Sequence, residues 1–185
     1  MGGAVASSRQ GEVLDTVESV FLREGVRGMR IGELAAEASC SRSTLYELAP
    51  SKEDLLLLVL DRVLRRIMRS GAEAIAAASD PVERVRAMLT TGALEFAALG
   101  PRFLEDVRGH GSSRRLFDRR LGQGRDTLEG LLEDAVREGA FRPVNSKVVA
   151  DAIIAVVIRF TDPRLARTSD LAELVDVFIE GLRRR

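Results

Sequence analysis

The sequence predicts an all-α protein, and three observations carry that expectation. Apolar residues recur at three- and four-residue spacing in one stretch after another, the pattern of an amphipathic helix with a buried face. Aromatics make up 4% of the 185 residues and Trp is absent, so the core must be built from Leu, Val, Ile and Ala, which suits helices more than sheets. Gly, Pro, Ser and Asp stand at the ends of these stretches, where caps and stops belong. At 45% hydrophobic and formal net charge zero, the chain can bury a sizeable core in one large or two small domains.

Residues 1–8 have neither a charged n-region nor an apolar h-region and read as a disordered arm; Ala6 stands where myristoylation would want Ser or Thr. Residues 13–23 carry Val13, Leu14, Val17, Val20 and Phe21 on one stripe. Residues 31–48 read as two short helices about a tight turn. Leu34, Ala35 and Ala38 share a face of the first, Leu45 and Leu48 a face of the second, which leaves Arg42, Ser43, Tyr46 and Glu47 pointing elsewhere. Helices this short need a third to close a core, and residues 13–23 supply it. Ser51 is a good N-cap for the next helix and Asp54 lies at its third position, so 51–54 resembles a capping box after Pro50. Lys52 in that first turn opposes the helix dipole, at a cost of up to about 1 kcal/mol. It makes sense if an anion lands there. The whole stretch has the form of a DNA-reading hairpin.

Residues 55–68 continue with Leu55, Leu56, Val59, Leu60, Val63, Leu64, Ile67 and Met68 on one stripe. The alanine-rich 71–79 extends this helix until Asp80-Pro81 starts another. Arg62, Arg65, Arg66 and Arg69 read as its solvated face. Gly100-Pro101 ends the helix at 81–99, a short one follows at 102–108, and 109–111 form a loop. Ser112 or Ser113 then caps a long helix that Gly122 and Gly124 weaken, a candidate kink, and that Gly139 closes. Residues 147–160 are apolar nearly all round and too short to span a bilayer, so they must be covered on more than one side. Leu171, Leu174, Val175, Phe178, Ile179 and Leu182 give the last helix a broad stripe.

Gly25, Leu34-Ala35, Ala38, Ser41, Thr44-Leu45-Tyr46 and Ser51-Lys52-Glu53-Asp54-Leu55 stand in the order and spacing of the N-terminal domain of the TetR family of bacterial transcriptional regulators, which the chain resembles over about its first third. Most specific is Thr-Leu-Tyr followed six residues later by a Lys that opens the next helix. The resemblance implies a helix-turn-helix DNA-binding domain over 9–52 and a helical effector-binding and dimerisation domain over 53–185. It implies that Ser41, Arg42, Ser43 and Thr44 reach bases or nearby phosphates of a double-stranded DNA operator, with Arg30, Tyr46 and Lys52 on its backbone. It further implies a homodimer in which the last two helices pair with their two-fold mates through Val149, Ile153, Val156, Val157, Phe160, Leu174 and Phe178. A small apolar or amphipathic effector is expected between helices of the second domain, near Met88, Phe96, Phe103, His110 and Phe117, with Arg114 or Arg120 as further polar contacts. The implied function is a repressor that binds a near-palindromic operator and is released by that effector.

The chain departs from the family pattern at several positions. Ser39 stands where a Gly is usual, so a non-glycine must accept a left-handed backbone at a cost on the order of 1 kcal/mol. Arg30 replaces a capping Thr, and Leu48 and Ala49 replace a phosphate donor and an aromatic anchor. Up to Lys52, six basic side chains face seven acidic ones. DNA binding then rests on the local cluster Arg30, Arg42 and Lys52, with Glu47 opposing it. These features keep open an alternative, a TetR-like dimeric ligand-binding or protein-interaction module with weak or lost DNA binding.

Catalytic chemistry has little to draw on. His110 is the only His and Cys40 the only Cys, so neither a His-based triad, a metal cluster nor an internal disulfide is expected, and no cofactor or enzymatic activity. Glu105 and Asp106 read as a solvated acidic pair. Cys40 reads as a small core hydrophobe, which fits a reducing, cytoplasmic setting, and with no run of eighteen apolar residues no membrane partner is expected.

Overall fold

The computed structural model describes residues 2–160 and 168–184, without the side chains of residues 2–8, 157, 160 and 168–171. Among the described residues the chain forms nine helices: α1 (Gly2–Glu24), α2 (Ile31–Glu37), α3 (Arg42–Leu48), α4 (Lys52–Ala77), α5 (Pro81–Ala97), α6 (Pro101–Gly109), α7 (Gly111–Arg137), α8 (Ser146–Phe160) and α9 (Thr168–Leu182). The one isolated β-bridge among them joins Phe141 to Arg183. None of the described helices is long and apolar enough to cross a membrane. Residues 2–8, expected as a disordered arm, instead continue α1. No Pro interrupts them, and adding residues to a helix already nucleated is far easier than starting one.

Two compact units emerge, Met1–Val63 with Leu99–Phe117, and Leu64–Ala98 with Asp118–Arg185. This differs from a single cut after residue 52, because α6 returns to the N-terminal helices. In the first unit the α1 stripe (Val13, Val17, Val20, Phe21) is buried, as are Leu34, Leu45 and the Leu55, Leu56, Val59 and Leu60 face of α4. Arg62 ties α4 to α1 by pairing with Asp15 and, at 3.2 Å, with the nearly buried Glu18. Gly25 ends α1 at φ +77°, and a Cβ there would meet both Arg102 Cβ and Asp106 Oδ2 at 2.9 Å. Only glycine satisfies both the left-handed backbone and the close approach of α6.

Asp106 explains why α6 belongs here. Expected to be solvated, it is 5% exposed. Its Oδ2 accepts from the backbone N–H of Val26 at 2.5 Å and of Arg27 at 3.0 Å, and Arg27 Nε lies 3.7 Å from Oδ1. A carboxylate 80 residues away in sequence thus satisfies the amides left over where α1 stops.

The second unit has its own core, drawn from Val85 and Leu89 of α5, Leu128 and Leu132 of α7, Ile153 of α8 and Val175 and Ile179 of α9. Asp80 caps α5, its Oδ1 accepting from Val82 N–H at 2.9 Å and Glu83 N–H at 3.1 Å, with Pro81 in the first turn as expected. Arg86 of α5 pairs with Asp176 of α9, and that hydrogen bond holds the guanidinium pKa above its usual value. α7 starts at Gly111 rather than after a Ser cap, and Ser113 is buried at 1% exposure. The helix continues through Gly122 and Gly124 without a break and ends at Gly139, whose φ of +77° supplies the expected left-handed cap.

Candidate nucleic-acid interface and cavity

The hairpin is assembled by short-range hydrogen bonds that the sequence dictates. Ser41 caps α3: its Oγ accepts from Thr44 N–H at 3.1 Å and shares hydrogen bonds with Ser43 Oγ (2.6 Å) and Thr44 Oγ1 (2.9 Å). Ser39 carries φ +49°, the left-handed turn expected where the family has glycine. Ser51 Oγ accepts from Asp54 N–H at 3.0 Å, the expected cap of α4, and donates to Asp54 Oδ2 at 2.6 Å, so Asp54 answers the serine hydroxyl where a full capping box would take the Ser51 N–H. At α2 the reciprocal half of such a box exists without the other: Glu33 Oε2 accepts from Arg30 N–H at 3.0 Å, while the Arg30 side chain makes no cap. Arg23 reaches from α1 to Glu37 Oε1 of α2 at 2.6 Å. Its neighbour Glu24 first, and then Glu37, push the Arg23 pKa upward.

These contacts leave Ser41, Arg42, Ser43 and Glu47 exposed, Thr44 half-buried, and Tyr46 standing out at 52% exposure, too open for a packing ring. Lys52 is held rather than freely solvated. Its Nζ donates to the carbonyls of Met29 at 3.2 Å and Arg27 at 3.4 Å, next to Arg30. The Arg42 guanidinium lies over Gly32, where a Cβ would meet Nη2 at 2.6 Å. Two cations thus flank the start of α2, Arg42 over Gly32 and Lys52 on the carbonyls just before it, with Arg30 at the N-cap position between them and Glu33 the one acid in the first turn. Gly32 is a contributor that sequence reasoning missed, and its only signal was a glycine inside a predicted first helical turn. Cys40 is half-buried, and burial pushes its thiol pKa upward against a smaller downward pull from Arg9, as suits a packing residue.

The second unit holds a cavity of about 240 Å³ among α4, α5 and α7, with Ile154 of α8 also in its wall. Met88 and Phe96 line it as expected, as does Arg120. Phe103, His110 and Phe117 do not: all three belong to the first unit. Phe103 is fully buried there. His110 sits at the end of α6 with Nδ1 2.9 Å from the Asp106 carbonyl and Nε2 3.9 Å from Glu53 Oε1. The family resemblance, with the size of the two Phe and the polarity of His110, is what suggests these three for the cavity, whereas 99–117 belong with the first unit.

Of the expected interface residues, Ile153 is fully buried within its own unit, and Val149, Val156, Leu174 and Phe178 are half-buried. The side chains of Val157 and Phe160 lie outside the described residues. Two apolar residues not anticipated, Val148 and Val177, are 60% and 61% exposed. With the exposed Ala152 and Ala155, Val148 makes an open apolar stripe along α8. Among the described residues no group of His, Cys, Asp and Glu is placed to hold a metal.

Comparison with known proteins bears on this geometry. Residues 13–59 match the family model described as "Bacterial regulatory proteins, tetR family". An uncharacterised HTH-type transcriptional regulator of Mycobacterium tuberculosis is 34% identical over 79 residues, which span 43% of this chain and 39% of that protein. The HTH-type transcriptional repressor KstR2 of Rhodococcus jostii is 26% identical over 141 residues, covering 74% of this chain and 69% of the repressor. Among solved structures, a transcriptional regulator from Saccharomonospora viridis in complex with choline shares the fold with a TM-score of 0.81 at 21% identity, over 97% of this chain and 100% of that one. The matched segment runs from the middle of α1 to the first turns of α4, the very helices that build the hairpin, and over these residues the chain carries the N-terminal domain of the TetR family of bacterial regulatory proteins.

Proposed function

We propose that the chain is a non-enzymatic, cytoplasmic transcriptional repressor that binds a near-palindromic operator as a homodimer and is released by a small molecule held in the cavity of its second unit. The observation that carries this reading is the placing of Arg42 over Gly32 and of Lys52 on the Met29 carbonyl at the start of α2, where Arg30 is the N-cap, beside an α3 whose Ser41, Arg42, Ser43 and Tyr46 stand open to solvent. Arg42, Ser43 and Thr44 enter the major groove, and Arg30, Tyr46 and Lys52 hold the backbone. The open stripe of Val148, Ala152 and Ala155, with Val177 and the half-buried Phe178, supports pairing of α8 and α9 with a second copy. The repressor name of the Rhodococcus jostii relative and the choline bound by the Saccharomonospora viridis regulator support repression and a ligand-responsive second unit.

The first unit carries eleven basic and twelve acidic side chains, so affinity comes from local contacts and not from overall charge. With two to three cations per subunit on phosphate, a dimer neutralises four to six, and log K falls against log salt with a slope of roughly −3.5 to −5.5. The test is fluorescence anisotropy of the purified chain on DNA from its own gene neighbourhood across salt concentrations, with unrelated DNA as control. Selective binding within that range, weakened for all sequences by Tyr46→Phe and losing selectivity in Arg42→Ala, supports the reading. A folded dimer with no selectivity at low salt would mean that Glu47 and the neutral surface have won, and that the chain is a binding module without an operator.

A further inference from the structure

We infer that Asp106 is a positioning residue for DNA binding: from inside the first unit it fixes the peptide on which Lys52 rests, and so aims the Lys52 ammonium at the DNA backbone without reaching the DNA itself. The inference rests on the reading of α2 and α3 as the operator-binding hairpin and deepens it. Residues 25–30 join α1 to α2 without belonging to either helix, and side chains from three helices hold them in place. Asp106 of α6 takes the backbone N–H groups of Val26 and Arg27 on its Oδ2, Lys52 of α4 donates to the carbonyls of Arg27 and Met29, and Glu33 of α2 accepts from the Arg30 N–H. Arg27 is thereby gripped from both sides, its N–H by the acid and its C=O by the lysine, with its Nε 3.7 Å from Asp106 Oδ1. All of these residues belong to the first unit.

An ammonium has three N–H donors. Two go to the Met29 and Arg27 carbonyls, which offset what the helix dipole costs a lysine in a first turn, and the third is left for a phosphate. A side chain held in place beforehand avoids the entropy that a lysine on its flexible stem otherwise loses on binding, on the order of two- to tenfold in affinity per side chain. Plain electrostatics argues the other way, because Asp106 is an acid in the unit that meets a polyanion and deleting its charge would tighten binding. That charge is 5% exposed and already answered by two amides and by Arg27, so the loss of position outweighs it. The two accounts therefore predict opposite signs.

The test is fluorescence anisotropy of the full chain on a labelled duplex from its own gene neighbourhood and on an unrelated duplex of the same length. It compares the wild type, Asp106→Ala, Asp106→Asn, Lys52→Met and the double variant of Asp106→Ala with Lys52→Met, at a temperature where circular dichroism shows each of them folded. Asp106→Ser repeats the cycle with a polar side chain in the buried site should the alanine variant not fold. Asp106→Ala should weaken binding of both duplexes alike by about two- to tenfold per subunit, or roughly four- to a hundredfold for a dimer, and Asp106→Asn, which keeps the acceptor, should recover most of that loss. Lys52→Met should weaken both duplexes as well and leave Asp106→Ala silent, so that the double variant binds no more weakly than Lys52→Met alone. A hairpin merely loosened by the loss of Asp106 would instead weaken the Lys52→Met protein by the same factor as the wild type. That result overturns the inference, as does Asp106→Ala binding as tightly as the wild type, or Asp106→Asn binding as weakly as Asp106→Ala; in all three the operator reading stands if the wild type is selective. Equal binding of the two duplexes by the wild type refutes the operator reading alone, since the cycle is read on either duplex, and a folded wild type that binds neither overturns both.

Discussion

Replacing Asp106 tests how α6 holds the end of α1. The carboxylate is 5% exposed and accepts two backbone N–H groups, one of them from Val26, itself 1% exposed. In Asp106→Ala the Arg27 amide can turn to water, because that residue lies in the open, but the Val26 amide cannot. A buried donor left without an acceptor costs about 1–3 kcal/mol, and a hydrogen bond to a charged group contributes about 1.5–3 kcal/mol. The orphaned amide together with the weakened turn at Arg27 gives a loss of about 3 kcal/mol. At roughly 2–4 °C per kcal/mol for a chain of this size, the melting transition should fall by about 6–12 °C in scanning calorimetry. Asp106→Asn keeps an acceptor oxygen in the same place and loses only the charge, so it should cost about 1 kcal/mol, or roughly 2–4 °C. Because the two units need not melt together, hydrogen exchange at the Val26 and Arg27 amides should locate the loss. An alanine variant within about 2 °C of the wild type, on the order of the scatter expected for a surface change, would refute the reasoning, as would an asparagine variant as damaged as the alanine one.

Gly32→Ala should stabilise α2 by up to about 1 kcal/mol through helix propensity, yet it drives a methyl into the Arg42 guanidinium. Anisotropy should therefore show weaker discrimination of operator from unrelated DNA in a protein that melts no lower, and unchanged selectivity would separate Arg42 from base reading. Ser39→Gly removes the left-handed strain at φ +49° and should raise stability by about 0.5–1 kcal/mol, read as a rise of roughly 1–4 °C in the melting temperature; a fall would mean that the serine side chain holds the turn. The raised Cys40 pKa leaves less thiolate at any given pH than an ordinary cysteine has. Alkylation by iodoacetamide should thus be slower than that of a free thiol at neutral pH, with the pH–rate profile displaced upward, and an equal or faster rate would contradict the burial argument.

Nearly everything that builds the hairpin is legible in the sequence because it is local. The Ser51 cap and the left-handed Ser39 are both expected from residue type and position, and the Ser41 cap on Thr44 N–H, which the structure adds, depends on residues just as near. The helical fold follows from the same kind of signal, an apolar period interrupted by Gly and Pro. What escapes depends on distant partners. Asp106 caps an amide 80 residues away, Lys52 turns to carbonyls 23 and 25 residues away, and nothing in the neighbourhood of either residue advertises this. Phe103 and His110 are misplaced at the cavity for the same reason, since chain order cannot reveal that 99–117 belongs with the first unit.

The glycines of the second unit separate what stabilises the fold from what makes it useful. A glycine in a helix interior costs about 1 kcal/mol relative to alanine, and an unfilled apolar void costs more for every methyl-sized gap. At Gly71, Gly92 and Gly124 a Cβ would find open space, so packing gives no reason for glycine on three separate helices. The sequence alone makes Gly124 a candidate kink, yet α7 passes through it unbroken. A fold selected for stability alone would fill that space with alanine and leucine, as the neighbouring core does with Leu89, Leu128 and Leu132. Stability forgone at three positions around one cavity fits the proposed reading of it as a ligand site, because a bound ligand would restore the missing contacts and stabilise only the state that holds it.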